Sequence, residues 1–192
     1  MNARPHILIG AASPMAAAYF GASPTQCGVL AVLGAGFSLG PDIDHPNSTI
    51  TKVLKDSAHH WMKNISAFAR HQTSTIFDEN DFEWREKEGW SPDHRALTHT
   101  AAMAAAIGGL SWLVAMLPLG TTLLAGEAGF VVGRALTRNA ARAMLFGIAA
   151  SVLSLFVSLS PAMVGFAATA GWLSHVLADG CTKFGVPLFW PL

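Results

Sequence analysis

The sequence predicts an all-α fold, an integral membrane bundle of about four to six short helical spans with a polar helical insertion between residues 42 and 99. Only 12% of the residues are charged and 52% are hydrophobic, whereas about 25% are charged in an ordinary soluble domain. Ala, Gly and Ser recur in the apolar stretches, and such small residues allow close helix packing in a bilayer. We therefore predict one membrane-embedded domain over residues 1–192, with the polar insertion at 46–93.

The first two apolar stretches cover residues 7–22 and 27–39, and residues 23–26 (SPTQ) between them are typical of a turn. Each stretch is shorter than the roughly 20 residues that span a hydrocarbon core, so thin or tilted spans, a helical hairpin and buried helices all fit. The first stretch imitates a secretory signal. We expect it to be retained, because apolar character resumes after Pro24.

The chain changes from apolar to polar between residues 42 and 99. This segment holds all but two of the acidic residues and seven of the twelve Lys and Arg. Residues 53–69 have the pattern of an amphipathic helix, suited to the membrane surface or to the protein body. Residues 78–88 (DENDFEWREKE) are typical of a solvated loop or helix face. We therefore expect the insertion to be helical and polar.

Four further apolar stretches follow, at residues 101–117, 119–133, 144–159 and 162–177. Prolines mark two of the breaks between them. A third break is predicted as a loop that carries three basic residues, Arg134, Arg138 and Arg142.

Carboxylates and imidazoles gather at the borders of the apolar stretches in residues 40–46 (GPDIDHP), 94–99 (HRALTH) and 175–179 (HVLAD). These groups are ligands of divalent metals, and they are costly to place near lipid without a partner. The sequence therefore predicts a membrane-embedded metal site.

His175 and Asp179 are four residues apart in a helical context, so that both side chains project from one face. His94 and His99 are five apart, which favours His94 in a loop and His99 in the opening turns of the next helix. Between them, Arg95 offers a fork for a phosphate or carboxylate, or a salt bridge to an acidic residue.

Asp42 and Asp44 follow Pro41, which predicts an extended turn with the two carboxylates pointing apart. In that geometry one carboxylate binds metal while the other holds a ligating His or bridges a second ion; ordinary turn residues are the alternative. His6 is a further candidate ligand if the first two apolar stretches form a hairpin.

If His99 and His175 serve one centre, an even number of crossings separates them. Four short crossings fit, as do two with the remainder on the membrane surface. With four, the Arg134/Arg138/Arg142 loop shares a face with the metal site, and an Arg excess marks the cytoplasmic side.

Several other classes of site find no support. The net charge is zero and there is no basic stripe, so no nucleic-acid partner is expected. Cys27 and Cys181 are far apart and are predicted to be buried, reduced thiols. Motifs of serine hydrolases, nucleotide-binding loops and HExxH metalloproteases are missing from the sequence.

The ordered combination of motifs resembles the bacterial YdjM-like inner-membrane proteins, which are described as metal-dependent hydrolases. The resemblance spans nearly the whole chain. It rests on these matching pieces: His6, residues 41–46 (PDIDHP) with Ser48, residues 94–99, residues 174–179 (SHVLAD), and the later residues 185–187 (GVP) and 190–191 (WP).

That family is distantly similar to zinc-dependent phospholipase C and P1-type nucleases, helical enzymes whose clustered metals cleave phosphoesters. The resemblance implies five metal ligands, namely Asp42, His94, His99, His175 and Asp179. It further implies that His6 is an additional ligand, that Asp44 belongs with Arg95 to the catalytic residues, and that Arg95 holds a substrate phosphate.

The sequence thus predicts a hydrolase of the bacterial inner membrane, with its site facing the cytoplasm and one to three divalent ions, zinc being expected. Its partners would be membrane lipids and a small-molecule or lipid phosphoester, cleaved by a metal-activated water. The alternatives are a metal-ion transporter and a non-catalytic membrane protein with a structural metal. No oligomeric state is predicted.

Overall fold

A computed structural model describes residues 3–45, 48–53, 64, 95, 97–182 and 185–189. In this part of the chain every regular element is a helix, which confirms the predicted all-α class. The α-helices of ten or more residues are α1 (Ala3–Ala12), α2 (Pro24–Phe37), α3 (Ala101–Ala115), α4 (Gly120–Thr137), α5 (Ala140–Leu155) and α6 (Pro161–Gly180). Three 3₁₀ helices accompany them, at Ser13–Phe20, Pro41–Asp44 and Leu97–His99.

The first apolar stretch is not one α-helix. Pro14 has no N–H, and its ring would clash with the Gly10 carbonyl in an α-helix. The chain therefore continues from α1 as the 3₁₀ helix Ser13–Phe20 and turns at Gly21, which has a φ of +85°.

The expectation of a turn at residues 23–26 is wrong, because these residues begin α2. The Ser23 hydroxyl accepts a hydrogen bond from the Gln26 N–H, and the Gln26 side chain accepts one from the Ser23 N–H. Pro24 occupies the first helical position, where its missing N–H costs nothing. The four residues form a capping box, which starts a helix.

The loop predicted around three arginines is much shorter than expected. Arg134 lies in the last turn of α4 and Arg142 in the first turn of α5. Only Arg138, at the C-cap of α4 with a φ of +54°, and Asn139, the N-cap of α5, connect the two helices. The two helices therefore form a tight hairpin.

Helices that are consecutive in the chain alternate in direction. Gly133 in α4 packs against Ala143 in α5, whereas Gly126 packs against Ser151. Gly108 in α3 faces Gly165 and Thr169 in α6 in the same antiparallel manner. As a result, one end of the bundle collects the first residues of α1, α3 and α5 and the last residues of α2, α4 and α6. We call it the polar end, because it holds the four residues Asp42, His99, His175 and Asp179 together with the arginines of the α4–α5 hairpin.

Helix α2 packs between α1 and α6, and its backbone lies very close to the backbones of both. A Cβ built on Gly34 would overlap the carbonyl oxygen of Gly10, and one built on Gly171 would overlap that of Gly34. Only glycine permits backbones to approach so closely. The same helix contributes Val29, Leu30 and Leu33 to the main apolar core. Glycine therefore fixes the spacing of the three helices below the polar end.

Two segments of the described chain are long and apolar enough to cross a membrane, Pro24–Asp44 and Pro161–Gly180. Helices α3 and α5 are also apolar but shorter, with 15 and 16 residues, and 15 residues rise only about 22 Å. Many large apolar side chains face outward, among them Leu110, Leu113 and Leu123. An apolar surface of this kind is typical of contact with lipid or with another protein.

The two cysteines differ in exposure. Cys27 is buried in α2, as expected. Cys181 is exposed directly after α6, so the expectation of a buried thiol is wrong there.

Candidate metal centre

Four side chains from three separate segments converge at the polar end. Their ligand atoms all lie within 4.8 Å of one another. Asp42 comes from the 3₁₀ helix after α2, and His99 from the one before α3, while His175 and Asp179 come from α6. Both imidazoles are fully buried, and the Asp42 side chain is 14% exposed. We call these four residues the donor cluster.

The glycine contacts below the cluster set its register. His6, Ser38 and His175 lie one helical turn from Gly10, Gly34 and Gly171, on the same helix faces. The rings of His6 and His175 stack with centroids 3.9 Å apart. The Nδ1–H of His175 donates to the carbonyl oxygen of Ser38 at 2.7 Å, because a carbonyl can only accept.

This hydrogen bond fixes the tautomer of His175. In the neutral ring, Nε2 then carries a lone pair and no proton. Nε2 lies 3.5 Å from Asp42 Oδ1 and 3.6 Å from Asp179 Oδ2. It is buried and has no hydrogen-bond partner among the described residues.

A second chain of hydrogen bonds orients His99. The Thr98 hydroxyl donates to Asp44 Oδ2 at 2.6 Å. Its single proton is therefore used, so it accepts from the Nδ1–H of His99 at 3.0 Å. His99 Nε2 then carries the lone pair, and it lies 3.4 Å from Asp179 Oδ2.

The donor cluster fits a divalent cation. With both rings neutral, two imidazole lone pairs face two carboxylates in a buried site, an arrangement that needs positive charge between them. A proton on one ring would satisfy one contact, whereas one ion would satisfy all four donors. Two ligands about 2.0–2.2 Å from a tetrahedral zinc ion lie about 3.3–3.6 Å apart, which matches the imidazole–carboxylate distances of 3.4, 3.5 and 3.6 Å.

Arg95 lies beside the cluster in a strained backbone conformation. Its φ is +67°, which is uncommon for a residue with a side chain. Its Nε lies 3.0 Å from Asp179 Oδ2, and an N–H of its guanidinium donates to the Thr182 hydroxyl at 2.8 Å. The sequence left two roles open for Arg95, a fork for a ligand or a salt bridge. The described contacts include the salt bridge, which is made to Asp179.

His6 lies next to the donor cluster, with Nε2 3.8 Å from Asp179 Oδ1. Burial lowers the pKa of His6. A neutral imidazole is the form that binds metal. His6 is thus placed as a neighbour of the cluster that can serve as an additional ligand.

Asp44 is buried and reaches the cluster through Thr98. Of the two roles expected for the Asp42/Asp44 pair, the geometry matches one carboxylate in the cluster and the other holding a ligating His. The expected extended turn is wrong, because Gly40 has helical angles (φ −63°, ψ −43°) and residues 41–44 form a 3₁₀ helix.

The predictions for His94 and His99 have different outcomes. His99 ends a 3₁₀ helix and precedes α3, whose N-cap is Thr100, so its expected place in the opening turns of the helix is wrong by two residues. His94 lies outside the described residues, and its assignment as a ligand stays a prediction. Most of the polar insertion, residues 54–63 and 65–94, also lies outside them.

Sequence reasoning missed three groups that position the cluster: Ser38, Thr98 and Trp172. The Trp172 indole N–H donates to the Thr98 carbonyl at 2.8 Å and so ties α6 to the His99 segment. Thr98 could have been found, since a hydroxyl directly precedes a predicted ligand. Ser38 acts through its backbone carbonyl, which leaves no signal in the sequence.

A family model described as YdjM inner membrane protein matches residues 1–192. The chain belongs to the YdjM inner membrane protein family. This match confirms the resemblance to YdjM-like proteins that the sequence motifs indicated. Membership of the YdjM family and the two candidate spans support a membrane protein. No curated protein and no solved structure matches the chain, so the similarity of YdjM proteins to phospholipase C and P1-type nucleases stays a prediction.

Proposed function

We propose that the protein is a membrane-bound, metal-dependent hydrolase that cleaves a phosphoester of a lipid or of another membrane-proximal substrate. The observation that carries this proposal is the donor cluster, in which the ligand atoms of two imidazoles and two carboxylates from three segments lie within 4.8 Å of one another in a buried site. Its position at the ends of apolar helices is where a lipid headgroup would lie.

Asp42, His99, His175 and Asp179 would hold one ion, with His6 and His94 as candidates for further coordination. A bound divalent metal, expected to be zinc, lowers the pKa of water and neutralises charge on a phosphoryl oxygen. In the reaction, the oxygen of water bonds to phosphorus and the bond from phosphorus to the leaving oxygen breaks. The proton released from water ends on that leaving oxygen.

The remaining polar residues have distinct roles in this proposal. Asp44 holds His99 through Thr98, and Arg95 holds Asp179 while presenting positive charge to a substrate phosphate. A cavity of about 100 Å³ adjoins Asp42 and is lined by Ser48 and Thr49. It offers a headgroup a path to the more exposed side of the cluster.

In the membrane, we infer a bundle of four to six short spans, with the donor cluster facing the cytoplasm. Support comes from the polar end, where the arginines of the α4–α5 hairpin lie with the cluster. An Arg excess beside spans is typical of the cytoplasmic side.

A structural metal is the second candidate. The full burial of His99 and His175 favours it, since structural metal sites are closed. A transporter has less support, because its ion site is typically near mid-span and this cluster lies at helix ends.

The decisive experiment measures metal and activity on the same preparation. Wild type and the His175→Ala and Asp42→Ala variants are purified in detergent under metal-free buffers, reloaded with zinc and analysed by elemental mass spectrometry. Glu127→Ala, which removes an exposed carboxylate outside the cluster, is the control. We expect bound zinc in wild type and control, and its loss in the two cluster variants.

A phosphoester panel then separates the candidates. Product release by zinc-loaded wild type and not by folded cluster variants supports the hydrolase. Bound zinc without any product, together with a large fall in melting temperature on zinc removal, would favour the structural site. A folded wild type that binds no metal would contradict both candidates.

A further inference from the structure

An apolar groove lies between α2, α3, α4 and α6. Its volume is about 300 Å³, and its walls include Met103 and Ile107 of α3, Leu124 and Ala128 of α4, and Trp172 of α6. Glu127 is the single charged residue among its described lining residues, and it is exposed. The interior therefore favours hydrocarbon over any polar ligand.

Three residues that line the groove lie close to donor-cluster residues in the chain. Gly40 and Ile43 line the groove and lie on either side of Asp42 in the chain. Trp172 lies one helical turn before His175 and bonds the residue preceding His99. A Cβ on Gly40 would overlap the Trp172 ring, so glycine is needed for this wall. A molecule in the groove would thus have one end beside the metal centre.

The groove is open to the surface of the bundle, and helices that line it also carry exposed leucines. Leu110 and Leu113 on α3 and Leu123 on α4 are 58%, 53% and 63% exposed and belong to two of the helices that form its walls. In an inner membrane protein family, such a face lies against lipid. Hydrocarbon can enter the groove from that side without crossing water.

We propose that this groove holds one acyl chain of a bilayer lipid and directs the lipid headgroup to the donor cluster. The proposal rests on the proposed function, for which it names a lipid phosphoester as the substrate class. At about 300 Å³ the groove is at the lower limit of small-molecule pockets, so it would take part of a lipid and not a whole one. The second chain would remain in the bilayer.

The test uses the full chain in vesicles of phosphatidylethanolamine and phosphatidylglycerol with a trace of phospholipid that carries a diazirine at the end of one acyl chain. Photolysis and peptide mass spectrometry locate the label. Ile107→Trp fills the groove, and Leu110→Trp makes a similar enlargement on the exposed face of the same helix. We expect labels on groove residues in wild type, a several-fold loss in Ile107→Trp and no loss in Leu110→Trp.

Labels spread evenly over the exposed leucines would overturn the acyl-chain site. Groove labelling that is unchanged in Ile107→Trp would also overturn it. In either case the groove would be filled by something else, such as a second copy of the chain or other residues. Zinc content, measured on each variant, reports retention of the fold. Groove labelling without bound zinc would overturn the proposed function and leave the acyl chain in place. Bound zinc and hydrolysis of a water-soluble phosphoester with an unlabelled groove would overturn the acyl-chain site alone.

Discussion

The imidazole rings of His6 and His175 stack with their centroids 3.9 Å apart, which brings α1 against α6 at the donor cluster. The contact depends on the spacing of α1, α2 and α6, because Gly10, Gly34 and Gly171 meet one turn below it. Packing in the apolar part of the bundle therefore determines the geometry of the polar end.

Replacing Gly34 should separate these helices. Gly34→Ala places a methyl group against the Gly10 backbone and Pro14, and overpacking of this kind costs about 1–3 kcal/mol. We expect a lower melting temperature in detergent and weaker zinc binding. Gly28→Ala is the matched control on the same helix, since a Cβ there meets nothing within 4 Å. Equal melting temperatures for the two variants would contradict the role of this contact.

The hydroxyl of Thr98 should matter for metal affinity more than for folding. Thr98→Val keeps the shape of the side chain but removes the hydrogen bonds that join Asp44 to His99. Loss of such a partner typically lowers metal affinity about 10–100-fold. Titration with zinc against a competing chelator measures this, and Thr98→Ser should restore most of the affinity. An unchanged zinc affinity in Thr98→Val would contradict a role for the hydrogen bonds that join Asp44 to His99 through Thr98.

The buried Arg95–Asp179 pair should show strong coupling in the metal-free protein. Removing either partner alone, by Arg95→Met or Asp179→Leu, takes the opposite charge away from a buried group, which costs up to about 3–5 kcal/mol. We expect the double variant to be more stable than either single variant, as judged by denaturation in detergent. Additive losses would show that the two side chains act independently.

Cys181 reports the side of the membrane that the polar end faces. It is exposed just after α6, whereas Cys27 is buried. A membrane-impermeant maleimide should therefore label wild type in inside-out vesicles and not in intact spheroplasts, and Cys181→Ser should abolish the label. Labelling only from the outer side would place the donor cluster on the opposite face from the one proposed.

The positions of most α-helices could be predicted from apolar stretches and prolines. Both are local features of the sequence, because an apolar run favours a buried or membrane helix and a proline marks a break between helices. Two local signals were present in the sequence and were not used. Pro14 changed the helix type within an apolar stretch, and Ser23 with Gln26 began a helix where a turn was expected.

The grouping of these motifs was predictable, because carboxylates and imidazoles at helix ends are conspicuous, whereas the choice of Asp42 over Asp44 came only from the family resemblance. The pairing of His175 with Asp179 followed from a spacing of four. The tautomers were not predictable, because they depend on a backbone carbonyl of α2 and on the hydroxyl of Thr98, groups that reach the site only through tertiary packing.

The dispersion of the four donors along the chain has a consequence for biosynthesis. Asp42 and His99 leave the ribosome well before His175 and Asp179, so an incomplete nascent chain carries only half of the donor set. If the cluster binds a metal as proposed, only two of its four donors are available before α6 is made. Full coordination by the cluster would then require α6 to have reached its place beside α2 and α3.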